Sequence, residues 1–222
     1  MADAPHTQVS PTGFEGWVRE GADIYAKSFA MIRAEADLTR FEGALEQVVV
    51  RMIHACGMVD LAVDVAATAT VADAGRAALA GGAPIVVDAQ MVARGVTRTR
   101  LPAGNEVVCT LDHADVRAKA ADERTTRSAA AVDLWLPHLD GAVVAIGNAP
   151  TALFRLLELL ADPATPRPAA IVGVPVGFVG AAEAKALLSS GICDVPWLTV
   201  RGRRGGSAIA SGALNALANM VE

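Results

Sequence analysis

His54 is the residue in this sequence whose type and position best suit acid–base chemistry. At about 100° per residue, the apolar residues from Leu45 to Cys56 form one stripe of a predicted helix, and His54 falls almost opposite that stripe. It also lies in the last turn before Gly57, where the helix dipole favours a protonated imidazole. We therefore predict an accessible histidine biased toward its charged form, as acid catalysis at neutral pH requires. Val50 lies on the same face as His54, which predicts that this face borders a cleft or a partner surface. The alternative interpretation of His54 is an ordinary exposed histidine.

Arginine side chains are clustered in a chain that is acidic as a whole. The net charge of −5 argues against a general nucleic-acid surface. Guanidinium groups bind carboxylates, bidentately where the geometry allows. The sequence therefore predicts a discrete site for a small polyanion. The clusters are Arg94, Arg98 and Arg100; Arg124 and Arg127; and Arg201, Arg203 and Arg204.

The segment from Asp88 to Val107 carries the first of these clusters together with Thr97. It lacks helical or strand periodicity over much of its length and contains Gly and Pro hinges. Long irregular segments within compact domains are often functional. We predict a loop whose arginines bind carboxylates; a solvated surface loop is the alternative.

Two further motifs predict helix starts. In GNAP, Asn148 is predicted to cap free backbone N–H groups and Pro150 to occupy the first turn. In RTTRSAAA, Arg127 and Ser128 lie near a helix start, where backbone N–H groups attract anions; a capped start with solvated arginines is the alternative. The glycine-rich GVPVGFVG and GRRGGS match neither common phosphate-binding pattern, so both are weak as nucleotide sites.

Other classes of protein find little support in the sequence. Cys56, Cys109 and Cys193 are far apart and predict reduced, buried thiols, and we see no spacing typical of a metal site or a serine hydrolase. Although 53% of the residues are hydrophobic, charged or breaking residues interrupt every apolar stretch before about 18 residues. Residues 1–15 predict a loose N-terminal tail without a signal peptide. We expect a cytoplasmic protein that binds neither membrane nor nucleic acid.

Short apolar runs alternate with helical stretches along the rest of the chain. This alternation predicts a three-layer α/β/α fold with a mostly parallel central sheet, in a single domain over residues 16–222. Ligands bind beyond the carboxyl ends of such strands, so GNAP, GVPVGFVG and GRRGGS are expected along one rim. The predicted strands cover residues 84–88, 106–111, 142–147, 169–175 and 197–202. The predicted helices cover residues 16–35, 71–80, 116–136, 151–161, 181–189 and 207–220, together with one that starts at a capping box of Thr39 and Glu42 and ends at Gly57.

Eight motifs, in order from about Ile24 to Ala218, resemble the precorrin-8X methylmutase family. They are YAKSFAMIRAEADL, RMIHACG, VDAQMVARGVTR, RLPAGNEVVCTL, TRSAAA, VVAIGNAPTALF, PVGFVGAAEAK and VRGRRGGSAIASGALN. The resemblance implies an isomerase that moves a methyl group from C11 to C12 of precorrin-8X, giving hydrogenobyrinate, without a cofactor or metal. It also implies a homodimer with sites near the subunit interface, which would account for Val50.

The resemblance implies that His54 is the catalytic acid and that Ser28 contacts the substrate. The motifs favour the cobalt-free substrate over a cobalt-containing one. A tetrapyrrole carrier without chemistry is the alternative function, because an arginine-lined pocket suits either role. The predicted substrate-binding residues are Ser28, Arg51, Met91, Thr97, Arg98, Arg127 and Asn148.

Overall fold

The computed structural model describes residues 17–218, so the predicted N-terminal tail and the end of the predicted C-terminal helix lie outside the described residues. The helices are α1 (Gly21–Glu35), α2 (Gly43–Cys56), α3 (Leu61–Asp64), α4 (Val71–Ala80), α5 (Gln90–Gly95), α6 (Val116–Asp122), α7 (Arg127–Val132), α8 (Pro150–Leu160), α9 (Ala181–Ser189) and α10 (Ser207–Ala218). The strands are β1 (Val65–Ala67), β2 (Ile85–Val87), β3 (Val107–Val108), β4 (Val143–Ile146), β5 (Ala170–Gly173) and β6 (Trp197–Val200). No helix within residues 17–218 is long and apolar enough to cross a membrane.

The six strands form one sheet in the order β1-β6-β5-β4-β2-β3. Only β1 runs antiparallel to its neighbour, and the other five strands are parallel. The mostly parallel sheet predicted from the sequence is confirmed. The edge strand β1 was not predicted, because three residues are too few to show a strand pattern.

Helices cover both faces of the sheet, which confirms the predicted three-layer fold. Successive side chains of a strand point to opposite faces. Val143 and Ala145 accordingly pack into a core shared with α2, α4, α5 and α10. Val144 and Ile146 pack into a second core beneath α8 and α9. All four residues of β4 are buried, which explains why its sequence is apolar throughout.

The chain changes its direction across the sheet between β2 and β4. From β2 it passes outward to β3 at the edge, and it then returns to β4 on the other side of β2. In open α/β sheets, ligands bind beyond the carboxyl ends of the strands at such a switch point. Asp88 follows β2 and Asn148 follows β4. These two residues therefore lie where the topology favours a binding site.

The single helix predicted over residues 116–136 is wrong. The chain forms α6 and α7 instead, followed by a 3-10 helix over residues 133–138. Arg124 adopts a left-handed conformation with φ of 52°. The Thr126 hydroxyl then accepts a hydrogen bond from the N–H of Ala129 at 3.1 Å and starts α7 anew. Alanine favours helix on both sides of the break, so composition alone concealed it.

One other local prediction is wrong, and another, of a segment that is irregular over much of its length, is refined. Thr39 does not cap α2; its hydroxyl and N–H donate to the Asp37 carboxylate at 2.6 and 3.1 Å, and Glu42 occupies the cap position without a side-chain bond. The segment from residue 88 to 107 is not irregular throughout, because it contains α5 and a 3-10 turn over residues 98–100. Both are too short to show periodicity. Gly57 does end α2, in the left-handed conformation that glycine favours, with φ of 69°.

Candidate functional site

His54 lies in the last turn of α2, beneath a face of α1. The Ser28 hydroxyl oxygen is 2.7 Å from His54 Nδ1. The ring centroids of Tyr25 and Phe29 are 5.2 and 5.3 Å from the imidazole centroid. Residues 25, 28 and 29 are three and four positions apart, so they share one side of a helix. One face of α1 therefore supplies both the hydrogen-bond partner and the aromatic neighbours of His54.

Arg51 lies one turn before His54 on α2. Its guanidinium carbon is 5.5 Å from the Tyr25 ring centroid and 5.0 Å from that of Phe29, within the range of cation–π attraction. Three of the predicted site residues, Ser28, Arg51 and His54, are thus brought together by the packing of α1 against α2. The result is a fixed positive charge beside an imidazole.

The electrostatic environment of His54 differs from the one predicted. Burial disfavours the charged imidazolium, and the positive charge of Arg51 repels it, so the pKa of His54 lies below its usual value. The prediction that the helix end biases His54 toward protonation is therefore wrong for the protein without substrate.

The prediction for Val50 is also wrong. Its side chain is only 1% exposed and belongs to the core of the same chain, so it marks neither a cleft nor a partner surface. The reason is that α2 packs against α1, α4 and α10. A helix with neighbours on several sides buries more than the single apolar stripe that the helical wheel assumes.

A groove of about 500 Å³ opens between α1 and the end of α2. Ile24 and Met31 contribute apolar surface, Ser28 and His54 contribute hydrogen-bonding groups, and Lys27 adds a charge. This volume and this mixture are typical of small-molecule sites. The groove can therefore place an apolar part of a ligand against the imidazole.

Asp88 organises the rim at the carboxyl ends of the strands. Its carboxylate is 3% exposed and accepts hydrogen bonds from the N–H groups of Gly147, Asn148 and Ala149 at 2.9, 2.9 and 2.7 Å. These amides belong to the turn after β4 that leads into α8, whose N-cap is Ala149. The prediction that Asn148 caps this helix is wrong, because α8 has no side-chain cap hydrogen bond; the turn before it is instead bound by Asp88 at the end of the neighbouring strand. Burial raises the pKa of Asp88, and the three amide donors oppose that shift.

Sequence reasoning did not identify Asp88 as a site residue. The sequence shows only that an aspartate directly follows a predicted buried strand. That this strand lies beside the switch point of the sheet becomes clear only from the strand order. Pro150 does occupy the first turn of α8, as predicted. The rim prediction also holds. The Gly177 N–H donates to the Arg203 carbonyl at 3.2 Å, which joins the loops after β5 and β6.

The predicted residues of the α5 region do not line the groove that contains His54 and Ser28. Met91 is an exposed residue of α5. The N–H of Thr97 donates to Asn215 Oδ1 at 2.8 Å, and Asn215 Nδ2 donates to the Gly95 carbonyl at 2.9 Å. Asn215, which was not predicted, therefore fixes the turn that carries Thr97 and the exposed Arg98. Because α10 packs against both α5 and α2, it connects this turn with the His54 helix.

Arg127 is the exposed first residue of α7. The hydroxyl oxygens of Thr126 and Thr151 are 2.7 Å apart, which ties the start of α7 to the start of α8. Arg127 therefore lies on the same side of the sheet as the turn containing Asn148. The structure divides the predicted residues into two groups, one around His54 and one along the rim.

Comparison with known proteins gives a consistent result. The family model for precorrin-8X methylmutase matches residues 23–220. The precorrin-8X methylmutase of Pseudomonas aeruginosa is 58% identical over 206 residues, which cover 93% of this chain and 99% of that protein. The cobalt-precorrin-8 methylmutase of Priestia megaterium is 34% identical over 212 residues, which cover 95% of this chain and 93% of that protein.

A solved structure shows the same fold. The precorrin-8X methylmutase of Thermus thermophilus superposes with a TM-score of 0.80 at 40% identity, covering 89% of this chain and 94% of that one. Residues 23–220, which the family model matches, include every predicted site residue. The chain therefore belongs to the precorrin-8X methylmutase family, and with it to the isomerases that move a methyl group in corrin biosynthesis.

Proposed function

We propose that this protein converts precorrin-8X to hydrogenobyrinate by moving a methyl group from C11 to C12, with His54 as the acid. The observation that carries the proposal is the imidazole in the groove, held by Ser28 at 2.7 Å. A suprafacial [1,5] methyl shift is thermally allowed, so the protein has to supply neither a radical nor a nucleophile. It has to hold one tautomer of the macrocycle and stabilise charge. Positioned acid catalysis contributes about 10²–10⁴-fold to such a step.

The contact between Ser28 and Nδ1 determines which ring nitrogen acts. With Nδ1 engaged by the hydroxyl, Nε2 is the nitrogen that meets the substrate. His54 then donates its proton or a hydrogen bond from Nε2 to the ring C nitrogen of the macrocycle or to a neighbouring ring atom. Ser28 serves as the group that orients the imidazole.

In this proposal, the substrate brings negative charge to the positively charged surroundings of His54. Precorrin-8X carries acetate and propionate groups around its ring. A carboxylate paired with Arg51 removes the repulsion that lowers the pKa of His54. The imidazole therefore takes up its proton mainly in the complex, where it is used. Arg98 and Arg127 are proposed to bind other carboxylates, with Thr97 and Asn148 as polar contacts and Met91 against the ring face.

The comparisons support the cobalt-free substrate. The relatives at 58% and 57% identity, from Pseudomonas aeruginosa and a Sinorhizobium species, are named for precorrin-8X. The relatives named for cobalt-precorrin-8 are between 30% and 39% identical. We therefore expect faster turnover of precorrin-8X than of its cobalt complex.

We also propose a cytoplasmic homodimer. Exposed apolar side chains on α1, among them Ile24 and Met31, lie beside the groove, and such surface is typical of an interface. Cys56, Cys109 and Cys193 are unpaired, which suits a reducing compartment. Light scattering should give a mass about twice the 22.8 kDa of the chain.

Turnover of precorrin-8X by the purified protein, followed by absorption, tests the proposal. His54→Ala should lower turnover by about 10²–10⁴-fold while the protein still binds hydrogenobyrinate. His113→Ala is the matched control, because it removes an exposed histidine paired with Asp115 outside the groove. Near-full turnover by His54→Ala would reject the acid role. Binding of precorrin-8X by the native protein without conversion would favour the carrier.

A further inference from the structure

The loop after β5 carries the most exposed large apolar side chains among the described residues. Phe178 is 84% exposed and Val179 is 88% exposed, and Val176 beside them is also exposed. Single exposed apolar residues are ordinary, but a group of them on one loop indicates a contact surface. Neither the His54 groove nor the predicted substrate residues include this loop.

The loop is firmly held by its surroundings. The Gly206 N–H donates to the Val174 carbonyl at 2.9 Å, next to the bond between Gly177 and Arg203. A Cβ on Gly205 would lie 2.2 Å from the Val174 oxygen, so only glycine permits the two backbones to approach this closely. Phe178 is therefore exposed on a loop whose backbone is fixed by hydrogen bonds to the loop after β6.

A buried lysine also holds the loop after β6 in place. Lys185 on α9 is buried, and its Nζ donates to the Arg204 carbonyl at 2.6 Å. The Arg204 guanidinium in turn pairs with Asp60 and Asp64 at 3.0 and 2.8 Å. These contacts leave the neighbouring Arg203 to face outward on a fixed backbone.

Arg203 and Phe178 present complementary chemistry side by side. The Arg203 guanidinium carbon is 4.9 Å from the Phe178 ring centroid, which is a cation–π distance. Phe178 remains largely exposed despite this contact, so most of its surface is open to a ligand. A flat apolar surface beside a fixed positive charge suits a flat apolar macrocycle that carries carboxylates.

The position of the loop connects it with the rim. A Cβ on Gly180 would lie 3.3 Å from Phe154 and 3.5 Å from Pro150, so the loop ends against the start of α8, beside Asn148. On its other side, the ion pairs of Arg204 with Asp60 and Asp64 join this loop pair to α3, which follows α2. The pair of loops that carries Phe178 and Arg203 therefore contacts both the start of α8 and the segment after α2.

We infer that Phe178 and Arg203 form a substrate-binding platform, with Phe178 against the apolar face of the tetrapyrrole and Arg203 paired with one peripheral carboxylate. This inference rests on the proposed function and extends its site to the loops after β5 and β6. The positive charge at the patch favours an anionic macrocycle over an uncharged apolar partner. A second copy of the chain is the competing occupant.

Four variants test the platform: Phe178→Ala, Phe178→Trp, Arg203→Gln and Ile192→Ala. For each, KM and kcat with precorrin-8X, the Kd for hydrogenobyrinate and the mass in solution should be measured. Phe178→Ala and Arg203→Gln should each raise KM and Kd about tenfold, with kcat within about twofold and the mass unchanged. Phe178→Trp retains an aromatic surface and should bind as the native protein does. Ile192→Ala, an exposed apolar residue at the opposite end of β6, is the control and should change nothing.

Unchanged KM and Kd in Phe178→Ala would overturn the inference. A fall in mass on Phe178→Ala would also overturn it, because the loop would then belong to a subunit interface. Failure of the proposed function gives a different pattern. If the native protein binds hydrogenobyrinate without converting precorrin-8X, the function is rejected, whereas the Kd values of the variants still decide on the platform.

Discussion

Replacing Asp88 with Asn tests how far one buried carboxylate holds the rim together. In the native protein Oδ1 accepts from the Gly147 N–H, and Oδ2 accepts from those of Asn148 and Ala149. Asparagine has the same shape but only one oxygen. In its better orientation that oxygen keeps the bonds to Asn148 and Ala149, and the new NH₂ group faces the N–H of Gly147.

The cost of Asp88→Asn follows from this geometry. Leaving the buried Gly147 N–H without an acceptor costs about 1–3 kcal/mol. Loss of the negative charge at the start of α8 costs about 0.3–1 kcal/mol more. Burial raises the pKa of Asp88 because it disfavours the charged carboxylate. A neutral amide does not carry this cost, so the substitution recovers part of the lost stability. We expect a decrease of about 2 kcal/mol in the free energy of unfolding, or about 4–8 °C in Tm for a chain of this size.

Urea and thermal unfolding at neutral pH measure this change. Asp140→Asn is the matched control, because it makes the same substitution at an exposed position and should change stability by less than about 0.5 kcal/mol. If Asp88→Asn were as stable as Asp140→Asn, the three hydrogen bonds would contribute nothing net. The account of Asp88 as the group that fixes the turn after β4 would then be wrong.

Three further predictions follow from the same structure. If substrate raises the pKa of His54 by engaging Arg51, the pH profile of kcat will show a higher pKa than that of kcat/KM, and equal values would contradict the coupling. Ser28→Ala should lower kcat about tenfold in steady-state assays with KM little changed, while Ser28→Thr, which keeps the hydroxyl, should retain most activity; equal losses in both would argue against the orienting role. Burial lowers the pKa of Lys185 from 10.5 to about 8. Between about pH 8 and 10.5, Lys185 is therefore protonated in the unfolded chain and largely deprotonated in the folded one. Because the unfolded state binds more protons there, this group makes stability rise with pH across that window. Lys185→Met should remove that rise when Tm is compared between pH 7.5 and 10, and identical slopes would refute the assignment.

The parallel core could be predicted because its strands are buried on both faces. β4 reads VVAI and β5 reads AIVG, and apolar runs of this kind, bounded by Gly or Pro, have few other interpretations. The breaks were harder to predict. The turn at Arg124 lies between alanine-rich segments, and the helix α5 is only six residues long. In both regions the helix propensity of the residues does not distinguish a helix from a turn, so the packing against the rest of the chain determines which one forms.

The site could be predicted only in part, because contacts between distant segments determine the rest. The wheel placed His54 off the main apolar stripe, but it could not show that Ser28 and Phe29 of α1 cover that side. Asp88 and Asn215 act on backbone groups about 60 and 120 positions away along the chain. No local pattern marks such residues. They become visible when the strand order brings β2 beside β4 and α10 beside α5.

The lowered pKa of His54 fits the proposed reaction better than the protonated resting state that the helix end predicted. Burial and the charge of Arg51 both disfavour the imidazolium. In the proposed mechanism, carboxylates of the substrate near Arg51 weaken that repulsion and favour protonation of His54. An imidazolium that burial has destabilised is also a stronger acid than one in water, and it gives up its proton more readily to the macrocycle. The burial that lowers the pKa of His54 is therefore compatible with the acid role proposed for it.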